Sequence, residues 1–162
     1  MNEELAEFLH QNRACSGGIV RLSFLGAETL EDAWKLASPE DLVWGVTRPG
    51  VISPEQRRKF LVFVLGSIED KLTDPRSKNI LEKLRTNSPI TEDDADAAAD
   101  AAADAEAAEA DANAAAAWAA AWAAEADANA AAAWAADAAA DAREQQARWI
   151  RTNFKLADLH TN

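Results

Sequence analysis

Residues 95–142 decide the fold, and they read ADAAADAAADAEAAEADANAAAAWAAAWAAEADANAAAAWAADAAADA. Alanine occupies 33 of these 48 positions, and the stretch contains neither Gly nor Pro. Alanine is the strongest helix former because its side chain loses no rotamer entropy in a helix. Thr91 and the three acidic residues after it form a helix start, with a capping hydroxyl and carboxylates at the positive end of the dipole. We therefore predict helix over residues 91–148, which we call the alanine tract.

Length and an internal repeat predict that the alanine tract folds back on itself. A single helix over the tract would be roughly 85 Å long, whereas a compact domain of this size has a radius of gyration of about 15 Å. The sequence EADANAAAAWAA at 109–120 recurs at 125–136, sixteen residues later. We predict turns at 111–113 and 127–129, because Asn tolerates the left-handed conformation and also caps helix starts. One continuous helix in a homodimer is the alternative.

The repeat also bears on the tryptophans of the tract. On one straight helix, sixteen residues rotate the chain by about 160° beyond whole turns, so Trp118 and Trp134 would point nearly opposite ways. Trp118 and Trp122 are four residues apart and share a face. On an unbroken helix, that face would also carry the four aspartates Asp96, Asp100, Asp104 and Asp111. A polar stripe that becomes a tryptophan stripe indicates that the packing environment changes along the tract.

Every segment before the tract also has a helical pattern. Helix starts with cap residues occur at Thr29, Ser38, Ser53 and Asp74. The helix after Ser53 is apolar nearly all round and is predicted to be the central core helix. The apolar run at 19–25 is expected to form a buried helix, because no partner strand occurs nearby.

The helical patterns predict an all-α fold, a compact multi-helix bundle that forms a single domain over residues 1–162. Residues 1–90 supply short capped helices and the hydrophobic core, and residues 91–148 supply a helical hairpin or antiparallel helix array. Residues 149–162 form a C-terminal helix that docks on the first half through the apolar side chains Trp149, Ile150, Phe154, Leu156 and Leu159.

The net charge of −12 is concentrated in the alanine tract. Residues 1–91 sum to −1, residues 92–142 carry thirteen acids and no base, and residues 143–162 sum to +2. A surface of this sign repels nucleic-acid phosphates and attracts basic proteins. We therefore expect a basic protein partner and no direct binding of nucleic-acid phosphates by the tract.

The chain has the features expected of a cytoplasmic protein. Cys15 is the only cysteine, which excludes an internal disulfide and fits a reducing compartment. The first thirteen residues are acidic and amphipathic, so we expect no signal peptide. We also expect no membrane span, since acidic residues interrupt the alanine tract at intervals that a bilayer centre penalises.

Candidates for catalysis and metal binding are few. Cys15 and His10 lie five residues apart, but a small buried cysteine is the commoner case and no oxyanion hole is evident. Asp93, Asp94 and Asp96 are clustered, but their place at a helix start explains them. We expect a protein that is not an enzyme and that uses no metal and no cofactor.

A resemblance to a known family follows from the order of several motifs. These are Ala14-Cys15, then TLEDAW at 29–34, then DLVW at 41–44, then a long Ala/Asp/Trp tract that ends in a Gln/Arg/Trp helix. This order resembles the alanine-rich bacterial immunity proteins of the immunity-protein-5-like group. The resemblance implies a small helical cytosolic protein that neutralises a toxin or effector by binding. Carriage by a phage or mobile element, with a counter-defence role, is compatible with it.

Three binding functions are consistent with the sequence. The first is an inhibitor or immunity-type protein that neutralises a toxin or defence effector through the acidic, tryptophan-bearing surface. The second is an acidic nucleic-acid mimic, since acids four residues apart recur every ~6 Å along a helix. The third is a sponge for a nucleotide second messenger, in which tryptophans stack on bases and arginines pair with phosphate. The candidate binding residues are Asp96, Asp100, Asp104, Asp111, Trp118, Trp122, Trp134, Arg143 and Arg148.

Overall fold

The computed structural model describes residues 1–108, 111–125, 127–139 and 141–158. These residues form ten α-helices and two single-turn 3-10 helices and contain no strand, so the prediction of an all-α bundle is confirmed. No helix in this part of the chain has both the length and the hydropathy that crossing a bilayer requires. The α-helices are α1 (Glu3–Gln11), α2 (Ser16–Phe24), α3 (Leu30–Leu36), α4 (Pro39–Val46), α5 (Pro54–Gly66), α6 (Pro75–Thr86), α7 (Glu92–Ala107), α8 (Asp111–Ala124), α9 (Ala128–Ala138) and α10 (Ala142–Asn153). The 3-10 helices are Glu69–Lys71 and Leu156–Asp158.

The predicted cap residues begin the helices as expected. Thr29, Ser53 and Thr91 each accept a hydrogen bond from the amide three residues on, and the side chain at that third position accepts one from the cap amide in return. Ser38 and Asp74 cap α4 and α6, each followed by a proline in the first turn. These reciprocal bonds satisfy amides that a helix start otherwise leaves unpaired.

Helix α5 is the central helix of the main core, as predicted. Phe60 and Val64 are fully buried, and the helix packs against α6, α9 and α10. The C-terminal helix docks on it through Trp149, whose ring stacks on Phe63 with centroids 5.2 Å apart. This helix begins at Ala142 and ends at Asn153, so it starts earlier than the predicted residues 149–162. Leu159, which we expected on its apolar face, lies outside the described residues.

The alanine tract forms α7, α8, α9 and the first part of α10, and the packing of α8 against α7 and α9 excludes one continuous helix. The first turn was predicted at 111–113 but lies between α7 and α8, because Asp111 begins a helix where its carboxylate faces the positive dipole end. The second turn precedes α9, and Asp127 caps that helix by accepting a 2.9 Å bond from the amide of Ala130. Helix α9 ends at Ala138 and α10 begins at Ala142, and this third interruption was not predicted.

A smaller cluster of buried side chains joins α1, α2 and α3 beside the main core. It consists of Leu5, Leu9, Leu22, Ala27 and Leu30. The prediction of a buried helix at 19–25 is half wrong, because Leu22 is buried whereas Val20 is 65% and Phe24 is 89% exposed. Val20 and Phe24 are four residues apart and therefore share the outer face of α2.

Candidate binding site: the tryptophan–carboxylate cleft

Trp118 on α8 and Trp134 on α9 stack on each other. Their ring centroids lie 5.9 Å apart, with 27° between the ring planes. The two residues occupy the same position in the sixteen-residue repeat, and the turn between the repeats brings them together. On one straight helix the two rings would point nearly opposite ways, but the tract turns between them, as predicted. Both tryptophans are half-buried.

A cleft of about 400 Å³ opens beside this pair, and its charged side chains are all acidic. It is lined by Glu106, Asp111, Ala112, Ala114, Ala115, Trp118, Trp134 and Asp137. The three carboxylate residues are exposed. The indole Nε1 of Trp118 donates to Oε2 of Glu106 at 3.3 Å, which links one wall of the cleft to the stacked pair. We call this feature the tryptophan–carboxylate cleft.

Each carboxylate of the cleft comes from a different helix. Glu106 lies in the last turn of α7, Asp111 in the first turn of α8, and Asp137 one turn after Trp134 on α9. The end of α7 adds the partial negative charge of its free carbonyl groups to that of Glu106. A cation that enters the cleft therefore meets three carboxylates, a helix C-terminus and an aromatic pair, and their attraction exceeds the repulsion from the partial positive charge at the start of α8.

The predicted row of aspartates on α7 is divided by ion pairs with α6. Arg76 bonds Asp104 at 2.7 Å and Asp74 at 2.8 Å, and these two hydrogen bonds raise the pKa of Arg76. Lys83 likewise binds Asp94, and this bond, with those from Thr91, lowers the pKa of the Asp94 carboxyl. Asp96 and Asp100 are exposed and form no ion pair with a described residue. Of the three predicted aspartates on α7, the structure therefore leaves Asp96 and Asp100 without an ion pair and gives Asp104 one.

The remaining predicted residues lie away from the cleft. Trp122 is half-buried and packs against the main core. Arg143 is half-buried on α10 and donates to Oε1 of Gln146 at 3.2 Å, and burial lowers the pKa of its guanidinium. Arg148 is exposed on the same helix. Of the nine predicted residues, only Asp111, Trp118 and Trp134 line the cleft.

Two residues of the cleft were missing from the sequence prediction, Glu106 and Asp137. Asp137 carried a usable signal, since a residue three positions after Trp134 lies on the same helical face. Glu106 carried none, because its place depends on where α7 ends. Its carboxylate reaches Trp118 only because the chain turns within the next few residues.

The residues considered for chemistry do not form a catalytic arrangement in the described part of the chain. Cys15 was expected to be buried, but it is exposed and its Sγ accepts a 3.4 Å hydrogen bond from the amide of Gly18. The thiol therefore caps the start of α2, which explains its place next to two glycines. The described residues also contain no cluster of three side chains suited to a metal ion.

Comparison with protein-family models, with curated proteins and with solved structures finds no match for this chain. The resemblance to immunity proteins therefore stays a prediction from the order of the sequence motifs. The fold and the cleft are the observations from which a function can be argued.

Proposed function

We propose that the protein is a non-catalytic inhibitor of the immunity type, which binds a basic segment of a toxin or defence effector in the tryptophan–carboxylate cleft. The stacked pair Trp118 and Trp134, surrounded by three carboxylates from three helices, is the observation that carries this proposal. A lysine or arginine side chain of the partner enters the cleft and lies against the exposed edge of the tryptophan pair.

The proposed contact combines forces that act at different distances. The charge of −13 over residues 92–142 attracts a basic partner from outside the contact and speeds association. Inside the cleft, a cation beside an indole ring gains about 0.5–2 kcal/mol, depending on how much water is removed. Half-buried tryptophans lose little side-chain entropy on binding and are frequent anchors of protein interfaces. The negative charge therefore sets the association rate, and the contact with the aromatic pair sets the lifetime of the complex.

The two other functions considered from the sequence are weaker proposals. A nucleic-acid mimic needs a row of uncompensated charges, and the pairing of Asp94 with Lys83 and of Asp104 with Arg76 interrupts such a row. A nucleotide sponge needs tryptophan faces near cations. Trp118 and Trp134 stack on each other instead, among carboxylates that repel phosphate.

The proposal is tested by capture and kinetics with a matched pair of variants. The first variant, Asp111→Asn with Asp137→Asn, removes two charges from the cleft. The control, Glu4→Gln with Glu28→Gln, removes two charges from exposed positions outside the alanine tract. A target captured from a lysate by the wild-type protein and by the control, but not by the cleft variant, is then purified for measurement.

With that target, the cleft variant should associate about tenfold more slowly at low salt, with a flatter salt dependence. Trp134→Ala should leave association almost unchanged and speed dissociation. The wild-type protein should also restore growth of cells that express the captured toxin. Equal capture and equal kinetics for the cleft and control variants would exclude the cleft as the binding site.

A further inference from the structure

A second cavity, of about 380 Å³, lies where the smaller α1–α3 cluster meets the main core. Its walls are mainly apolar and include Leu5, Leu9, Leu22, Leu30, Leu42 and Val46. The cavity shares no lining residue with the tryptophan–carboxylate cleft. Its volume lies within the range of small-ligand sites, about 300–1,000 Å³.

One of the two carboxylates at the cavity wall, that of Asp41, is already neutralised. Arg21 donates to both oxygens of Asp41, at 2.6 and 3.1 Å, and the hydroxyl of Ser38 donates to Oδ2 at 2.9 Å. The hydrogen bonds from Arg21 are the largest cause of the lowered pKa of Asp41. Glu40, the other acid at the cavity, is exposed. Asp41 therefore has no need of a ligand.

Arg143 forms no ion pair with a described residue, and the carboxylates of Glu40 and Asp137 act on it only from beyond ion-pair distance. It is half-buried at the cavity wall, and its one side-chain hydrogen bond goes to the neutral amide oxygen of Gln146. Gln146 is itself fully buried and fixed, because its Nε2 donates to the carbonyl of Ala132 at 3.0 Å. Burying a guanidinium without an anion costs free energy, and burial lowers the pKa of Arg143 accordingly. A guanidinium that is held in place in an apolar wall, without an ion-pair partner, is suited to bind an anion.

We propose that this cavity binds a small amphipathic anion, with its apolar body among the leucines and a single carboxylate on Arg143. The half-buried guanidinium of Arg143 matches one negative charge, whereas Arg13, the other arginine at the cavity wall, is exposed to water. The carboxylate of Glu40 at the same cavity disfavours a dianion such as a phosphate monoester. Trp34 and Trp44 also line the cavity, so aliphatic and aromatic acids both fit its chemistry.

Gly45 provides a way to close the cavity without disturbing the fold. It lies on α4 at the cavity wall, and a Cβ built there meets no atom within 4 Å. Glycine is also the weakest helix former after proline, so a larger residue at this position favours the helix. Gly45→Phe should therefore fill the cavity, while Gly45→Ala should leave most of it open.

Two dyes that differ by one charge test the proposal. They are 8-anilinonaphthalene-1-sulfonate, an apolar anion, and N-phenyl-1-naphthylamine, its neutral analogue. The wild-type protein and Gly45→Ala should bind one equivalent of each, and Gly45→Phe should bind neither while keeping the wild-type helical circular dichroism. Arg143→Gln should bind the anionic dye about tenfold more weakly, as expected for a charged hydrogen bond, with unchanged affinity for the neutral dye.

Several results would overturn the proposal. Equal dye binding by Gly45→Phe would locate the dye elsewhere, and loss of binding in Phe24→Ser would identify the exposed face of α2 as that place. Equal affinity of Arg143→Gln for the anionic dye would remove the role of the guanidinium. Decanoate should displace the dye at lower concentration than adenosine monophosphate. The reverse order would contradict the monocarboxylate and indicate a nucleotide.

Discussion

The core around α5 is made of large side chains, whereas the core around α8 is made almost entirely of alanine. Phe60, Leu61, Val64 and Leu65 fill the first, and they are at most 2% exposed. In α8, eight alanines are buried, on nearly every side of the helix, because it packs against α7, α9, α6 and α5. The two halves of one main core therefore exclude water in different ways, one by filling space and the other by bringing backbones close together.

This difference explains where the charge and the tryptophans lie. An alanine surface lets helices approach toward the short end of the ~8–10 Å range, but it leaves no room for large residues between them. Large and charged residues of the alanine helices therefore occur at the edges of the packed faces. Trp118 and Trp134 meet at such an edge, and the carboxylates surround them. In the half around α5, Trp149 instead packs against Phe60 and Phe63.

The largest loss of stability is expected when a large side chain is removed from the core around α5. Phe60→Ala should lower the free energy of unfolding by about 3–5 kcal/mol, because Phe60 is fully buried and the cavity cannot collapse. Urea unfolding followed by circular dichroism measures this loss. Val62→Ala on the same helix, at a half-buried position, is the control and should cost less. A loss below about 1 kcal/mol for Phe60→Ala would show that the core around α5 is loosely packed.

The opposite change, from a small to a large buried side chain, should destabilise the core around α8. Ala119→Leu should lower the free energy of unfolding by about 1–3 kcal/mol, because Ala119 is fully buried and the helices must separate to admit the larger side chain. Ala103→Leu is the matched control, since Ala103 is exposed on α7. Its unfolding free energy should stay within about 0.5 kcal/mol of the wild type. Equal stability of the two variants would contradict close packing around α8.

The same contrast decides what could be predicted from the sequence. Helix starts were predicted well, because Thr29, Ser53 and Thr91 act through bonds to residues three positions away. The central helix was predicted because its second half, residues 60–66, is apolar nearly all round, and such a segment has to be buried. Both features depend on local chemistry or on composition, and both can be found without knowing the fold.

The turns and the cleft depended on information that alanine does not carry. Alanine favours helix at every position, so the ends of α7 and α9 follow from packing and not from a local signal. The break after Ala138 has no glycine, proline or asparagine to mark it. The cleft could not be predicted for the same reason, because Glu106, Asp111 and Asp137 come together only through the turns between their helices.

A smaller effect tests whether the tryptophan pair stabilises the turn between α8 and α9. A double-mutant cycle with Trp118→Leu and Trp134→Leu should give a coupling free energy of about 0.5–1.5 kcal/mol, as found for stacked aromatic pairs. The cycle with Trp122→Leu and Trp134→Leu is the control, because the ring of Trp122 is not stacked on that of Trp134. Its coupling should be below about 0.5 kcal/mol. Similar coupling in both cycles would mean that general packing, and not ring contact, joins the two helices.

The smallest effect concerns the interface between α6 and α7, which we call the seam and which contains ion pairs between the two helices. The hydrogen bonds from Lys83 and Thr91 hold the pKa of Asp94 below its usual value, so the folded state favours the carboxylate. This stabilisation is complete above the unfolded pKa, about 3.9, and is lost as the pH falls through the lower folded pKa. Asp94→Asn keeps the cap acceptor but removes the charge. Its thermal midpoint should lie below that of the wild type at pH 7, and the difference should shrink as the pH falls from about 5 to 2.

Asp93→Asn is the control for the Asp94 variant, because Asp93 is an exposed acid in the same first turn of α7. Asp93 interacts with the same helix dipole as Asp94, whereas the ion pair with Lys83 is formed by Asp94. A gap between Asp94→Asn and the wild type that stays constant from pH 7 to pH 2 would contradict an ionic role. Apolar packing would then hold α6 against α7 at the seam, and Ile80 of α6 and Ala98 of α7 are both fully buried in the main core. Helices α7, α8 and α9 would in that case be joined to the rest of the protein by the same kind of apolar packing that joins them to one another.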